Sequence, residues 1–168
     1  MPNLHLLPES ASDLIATAGA RLLRNRRLMR APIRLYKARL GFLFGTRMLM
    51  LEHIGRKSGV HRYVVLEVID RASPGTYVVA SGFGARAQWY RNIQANPRIR
   101  VFTGGLGPRS ATAHVLTQAE ADAALQAYIS RHPRAWSNLK SVIENTLGTP
   151  IDDHNTALPM VALELDRP

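Results

Sequence analysis

The chain predicts an α+β fold: a small antiparallel β-barrel with flanking helices. Five or six short runs rich in β-branched and aliphatic residues lie between residues 48 and 165, each closed by glycine or proline turns. Helical signals lie in the N-terminal part, in a short segment at 88–94 and in the last third of the chain. The strands are mostly antiparallel with interspersed helices, which is not the βαβ alternation of a parallel sheet. At 168 residues the chain suits one barrel domain, 46–168, preceded by a basic helical segment, 1–45.

The elements follow in order. Ser10 or Ser12 caps a first helix with Asp13 in its first turn, where a negative charge favours the helix dipole. Leu14, Ile15, Ala18, Leu22 and Leu23 carry its apolar stripe to about Arg30. Pro32 breaks that helix and opens a second, 32–44, which Gly41 and Gly45 end. Strands are expected at 48–54 and 62–69, joined by a turn centred on Lys57 that sets His53 opposite His61. Ser73-Pro74-Gly75-Thr76 turns the chain into a third strand, 76–81. A short helix at 88–94 stops at Asn96-Pro97. Strands at 98–103 and 110–116 are linked through Gly104, Gly105 and Gly107. Thr117 with Glu120 is a capping box for a helix of about 14 residues that stops near His132-Pro133. A helix at 135–147, a loop at 148–158 and a strand at 160–165 complete the chain.

The net charge of +10 predicts an anionic partner. The charge is unevenly placed: no acid occurs between Asp13 and Glu52, or from Arg71 to Ala119. The arginines of 14–39 and the apolar stripe beside them suit either an anionic membrane surface or packing on the domain itself. Without cysteine there is no disulfide framework, thiolate nucleophile or cysteine–zinc site. Residues 1–7 are too short and too interrupted by proline for a signal-peptide core, so a cytoplasmic protein is expected, peripheral on the inner membrane face if the basic helix binds lipid.

The strongest local signal is Gly55-Arg56-Lys57-Ser58-Gly59, with Arg62 three residues on. Only Lys37, Lys57 and Lys140 are lysines among 22 cationic residues, so a lysine inside a glycine-bracketed turn is conspicuous. Glycine exposes backbone N–H groups and the cations add charge-assisted bonds, which suits a phosphate or carboxylate. Gly82-Phe83-Gly84-Ala85-Arg86-Ala87 has the form of a dinucleotide fingerprint, but the acid expected about 20 residues on is missing. The pair His53 and His61 lacks a third ligand and sits among cations, so no metal is expected. No nucleophile–base or carboxylate pair supports hydrolysis. Trp89-Tyr90 reads either as a core anchor or as a wall for a flat ring.

Taken in order, Gly-Arg-Lys-Ser-Gly (55–59), Leu66-Glu67-Val68, Val79-Ala80-Ser81-Gly82-Phe83-Gly84 and Trp89-Tyr90-Arg91-Asn92-Ile93-Gln94-Ala95-Asn96-Pro97 resemble the deazaflavin-dependent nitroreductase and quinone-reductase family. That family is a branch of the flavin-type, FMN-binding-like split β-barrels, and the resemblance runs from about Leu51 to Leu165. It implies binding of reduced coenzyme F420, whose phospholactyl and polyglutamate tail is anionic, and hydride transfer to a quinone, nitro compound or other activated acceptor. Arg56, Lys57, Ser58 and Arg62 would hold the tail. Val64, Val65 and Leu66 would line the ring, and Ser81, Gly82, Phe83, Arg86, Gln88 and Trp89 would complete the groove. Relatives often carry a lysine after the serine; Gly82 stands there, with Arg86 as the nearest replacement. No catalytic residue is assigned, and Tyr128, His132 and Trp136 are candidates for an acceptor pocket. Two alternatives stand beside this reading: an FMN oxidoreductase of the same fold, and a non-catalytic basic module for lipid headgroups or nucleic acid. Within that last alternative lipid is favoured and no nucleic-acid partner is expected, because the aromatic stacking platform of single-strand binders is missing. Both a monomer and a homodimer are compatible with the fold.

Overall fold

The computed structural model describes residues 31–167. Six antiparallel strands close into a barrel: β1 (Met48–Ile54), β2 (His61–Ser73), β3 (Thr76–Ala80), β4 (Arg98–Thr103), β5 (Arg109–Val115) and β6 (Met160–Leu165), in the order β1-β2-β3-β6-β5-β4. Among the described residues four α-helices accompany them: α1 (Ala31–Lys37), α2 (Gln88–Ala95), α3 (Gln118–Arg131) and α4 (Pro133–Leu147). The expected first helix lies outside the described residues.

Strand alternation sorts the side chains between two cores. Leu49 and Leu51 of β1, Leu66 of β2, Val79 of β3, Val101 of β4 and Leu163 of β6 fill the barrel interior. Trp89, Tyr90 and Ile93 of α2 join this interior cluster, so α2 plugs one barrel mouth. Their outward neighbours Ile69, Val78 and Met160 form a second core with Leu125 and Tyr128 of α3 and Trp136 and Ile143 of α4. The Thr117–Glu120 capping box is formed as the sequence predicts, and it starts α3 where β5 ends.

Three expectations need correction. The helix expected at 32–44 is two pieces, α1 and a 3-10 turn at Gly41–Phe44. Arg39 takes a left-handed φ of 61° between them. This reversal lets Tyr36 stack on Phe44 and brings Gly41 against Gly104, where a side chain would strike the Gly104 carbonyl and the Tyr36 ring. Strand β2 continues to Ser73 because register shifts beyond Val68 let it bend and stay paired with β3. The two histidines do not face each other: His53 pairs with Arg62, and Ile54 with His61. A one-residue change of register reverses the faces, so His53 shares the inward face of Leu49 and Leu51 while His61 lies outside.

Candidate anion-binding site

The β1–β2 connection is a closed turn. The Ser58 and Gly59 N–H groups donate to the Gly55 carbonyl at 3.1 and 2.7 Å, and Gly55 N–H donates to Val60 O at 2.9 Å. Gly59 closes it at φ +67°, a conformation L side chains rarely adopt. Gly55 serves a different purpose. A Cβ there would lie 2.7 Å from Ser58 Oγ and 3.0 Å from Arg62 Nε, so its missing side chain lets the hydroxyl and the guanidinium converge.

Arg56 ties this turn to α2. Its backbone N–H donates to Asn92 Oδ1 at 3.2 Å, and its Nη1 donates to the same oxygen at 2.9 Å and to Gln88 Oε1 at 3.0 Å. Gln88 and Asn92 are four residues apart and therefore share a helix face. Asn92 Nδ2 reaches His53 Nδ1 at 3.2 Å inside the barrel mouth. Burial, and then the Arg62 charge, pull the His53 pKa down to about 4, so the ring is neutral at neutral pH.

The electrostatics of the site are one-sided. Elsewhere several arginines are tied to acids, among them Arg47 to Glu67 at 2.8 Å, Arg131 to Asp70 at 2.6 Å and Arg100 to Glu52 at 3.3 Å, whereas Arg71 and Arg91 rest on backbone carbonyls. Among the described residues Arg56, Lys57, Arg62 and Arg86 have no ion pair, and all four are exposed. The loop before α2 lies close by in the chain. Ser81 is fully buried, its hydroxyl donating to Gly84 O at 2.7 Å and its N–H to Pro159 O at 2.8 Å. It therefore shapes the loop. Gly82 and Gly84 rest against Ile143 and Leu147 of α4, leaving Phe83 47% exposed.

The residues expected at the groove thus divide. Arg56, Lys57, Ser58, Arg62 and Gln88 come together at the turn, with Arg86 and Phe83 on the adjoining loop. Val64 and Leu66 belong to the barrel interior, whereas Val65 takes the other face, so the three side chains cannot line one surface. Trp89 is a core residue, 8% exposed. Tyr128 and Trp136 are likewise buried, in the outer core. The Tyr128 hydroxyl donates to Glu67 Oε1 at 2.8 Å, and burial together with that carboxylate raises its pKa. Glu67 pairs with Met48, at the opposite end of β1 from the turn. His132 is exposed beside the Tyr128 ring, their centroids 5.3 Å apart.

Sequence reasoning missed Asn92 and His53 as parts of this site. The spacing of Gln88 and Asn92 was available as a signal, but the partner they share depends on strand register. A cavity of about 180 Å³ lies at the other end of the barrel, bordered by Met48, Val68, Arg71, Tyr77 and Leu106. It shares no residue with the turn.

A family model described as F420H(2)-dependent quinone reductase matches residues 24–150. No curated protein matches the sequence. Among solved structures, a protein of unknown function from Agrobacterium tumefaciens is 18% identical with a TM-score of 0.54, covering 82% of this chain and 56% of its own. A structure described as a domain-swapped dimer is 20% identical with a TM-score of 0.50, covering 92% of this chain and 100% of its own. A structure described as an F420-H2 dependent reductase is 22% identical with a TM-score of 0.49, covering 70% and 94%. At these identities the likeness is one of fold. No helix of the described residues is long and apolar enough to cross a membrane.

Proposed function

Because the chain belongs to the F420H2-dependent quinone reductase family, we propose that it transfers a hydride from reduced coenzyme F420 to a quinone, with the 55–59 turn and Arg62 holding the coenzyme's anionic tail. The observation that carries this reading is the set of uncompensated cations at the turn. The residues fit such a tail in two respects. Arg56, Lys57 and Arg62 offer only donors, and Gly55 keeps clear the space in which Ser58 and Arg62 approach each other. Charge-assisted bonds to phosphate and carboxylate are the strong class of hydrogen bond.

The bound coenzyme would supply the hydride chemistry, and the protein supplies binding and orientation. Arg56, Lys57 and Arg62 fix the charged end. Phe83 and the Gly82 backbone, on the loop beside α2, present a surface for a flat ring. Tyr128 is not the proton donor in this reading, because its hydroxyl is committed to Glu67 far along β2 from the turn.

Titrating the purified protein with F420 and following tryptophan fluorescence tests the proposal, since Trp89 sits directly after Gln88 on α2. Saturable binding at micromolar coenzyme is expected. Lys57→Ala should weaken it about ten-fold, the equivalent of one charge-assisted hydrogen bond. Absence of binding, or wild-type affinity in Lys57→Ala, refutes the assignment of the turn. Steady-state oxidation of F420H2 against a quinone and a nitro compound then tests the acceptor, with the quinone expected to react faster.

A further inference from the structure

The unusual feature of Arg56 is what holds it. Arg47, Arg100 and Arg131 are each fixed by a carboxylate, which cancels their charge while it orients them. Arg56 is fixed just as firmly, by three hydrogen bonds, but every acceptor is a neutral amide oxygen. A guanidinium and a backbone N–H can only donate, so Asn92 must turn Oδ1 toward Arg56. Its NH2 group then points the other way, to His53 Nδ1. Because that NH2 donates, His53 Nδ1 must accept, which requires a neutral ring protonated at Nε2. Asn92 itself is 3% exposed and His53 4%, so neither amide nor ring can turn to water. One chain of bonds therefore runs from the barrel interior to the anion turn.

We propose that Asn92 and Gln88 are positioning residues that lock Arg56 in place without neutralising it, with His53 fixing the orientation of the Asn92 amide. The inference rests on the reading of the turn as the anionic coenzyme's seat. It reassigns Gln88 from a contact of the coenzyme to a holder of Arg56. It also gives a chemical reason why amides stand where carboxylates hold Arg47, Arg100 and Arg131. A carboxylate would orient Arg56 equally well and spend its charge before the ligand arrived. With amides, Nε and Nη2 of Arg56 keep both their hydrogens and their charge for an incoming phosphate or carboxylate.

The test replaces amide by carboxylate at constant shape: Asn92→Asp and Gln88→Glu, with Lys57→Ala in parallel. For each, F420 affinity is measured at low and high salt by tryptophan fluorescence, and Tm by thermal denaturation. A structural role alone predicts that Gln88→Glu, which gains an ion pair with Arg56, binds the coenzyme as wild type. The proposal predicts the opposite: Tm held or raised, Kd raised about ten-fold, and a shallower dependence of Kd on salt. In turnover the loss should fall on KM for the coenzyme more than on kcat. Should Asn92→Asp fail to fold, Gln88→Glu decides alone, since it lies at an exposed position. Wild-type Kd in Gln88→Glu alongside a weakened Lys57→Ala overturns the positioning role and leaves the turn assignment standing. Wild-type Kd in Lys57→Ala removes the turn assignment, and this inference with it. A readout free of coenzyme is the 15N spectrum of His53: a neutral ring with its proton on Nε2 at pH 7 is expected, and a proton on Nδ1 contradicts the chain of bonds.

Discussion

Gly55→Ala and Gly59→Ala should have opposite consequences, although they bracket the same turn. At Gly55 the backbone is outside the left-handed region, so alanine brings no φ strain there. Its methyl would lie 2.7 Å from Ser58 Oγ and 3.0 Å from Arg62 Nε, short of ordinary contact near 3.4 Å. Both neighbours are the ends of exposed side chains and can move aside by a few tenths of an ångström. The bond at stake within the turn is long, Val60 N–H to Ser58 Oγ at 3.4 Å. Losing it costs about 0.5 kcal/mol, and a gain of about 0.4–1 kcal/mol from a less flexible unfolded chain offsets that. Stability should hardly change, but the hydroxyl and guanidinium are spread apart, and affinity for an anion should fall about ten-fold. At Gly59 nothing lies within 4 Å, but φ is +67°. Alanine there costs about 1–2 kcal/mol, equivalent to roughly 2–8 °C in Tm for a chain of this size, and leaves the cradle unobstructed. Thermal denaturation and coenzyme titration on both variants separate the two effects. Loss of stability without loss of binding in Gly55→Ala would refute the claim that this glycine exists to let Ser58 and Arg62 converge.

Two further outcomes follow from the titratable groups. The native pKa of His53, about 4, is below its ordinary value of 6.5, so the unfolded chain binds more protons between those values. Stability should therefore fall as pH drops through 6.5 toward 4, by at most ~3 kcal/mol from this residue; denaturant unfolding at pH 7 and pH 5, with His53→Gln as reference, measures it, and a pH-independent difference between the two proteins would contradict the burial argument. Tyr128→Phe removes a hydroxyl whose acceptor, Glu67, keeps Arg47 as a partner. A loss of about 1 kcal/mol, or ~2–4 °C in Tm, with unchanged coenzyme affinity is expected, whereas a large fall in kcat at constant Tm would restore Tyr128 to the chemistry.

The barrel was readable because its signals are local. The strand at Met48–Ile54 is an apolar run ended by glycine, the last strand follows a polar loop, and the Thr117–Glu120 box marks a helix start within four residues. Where the reading failed, the missing information was non-local. Strand β2 runs past Ile69 into polar Asp70 and Arg71 because β3 continues to pair with it, which no periodicity records. Placing the hairpin centre on Lys57 is wrong by a single register step. That step decides whether His53 meets His61 outside or Asn92 inside the barrel. The cations of the turn were visible in the chain; what holds them was not, because Asn92 reaches Arg56 only once α2 plugs the barrel mouth.

The same distinction refines the argument from net charge. A charge of +10 predicts an anionic partner but does not say where it binds, since cations are spread along the chain. Folding makes the selection. The acids at 52, 67 and 70 fall on strands β1 and β2 and each takes an arginine, which turns those arginines into barrel fasteners. The stretch from Arg71 to Ala119 contains no acid, and it supplies both the loop with Arg86 and the helix that presents Gln88 and Asn92. An acid-free segment packed beside an acid-free turn leaves a local positive potential that distant carboxylates, screened over about 8 Å in physiological salt, cannot cancel. The absence of acids between 71 and 119 is therefore a better guide to the proposed anion site than the total charge, because it leaves the loop and the helix beside the turn with no carboxylate of their own.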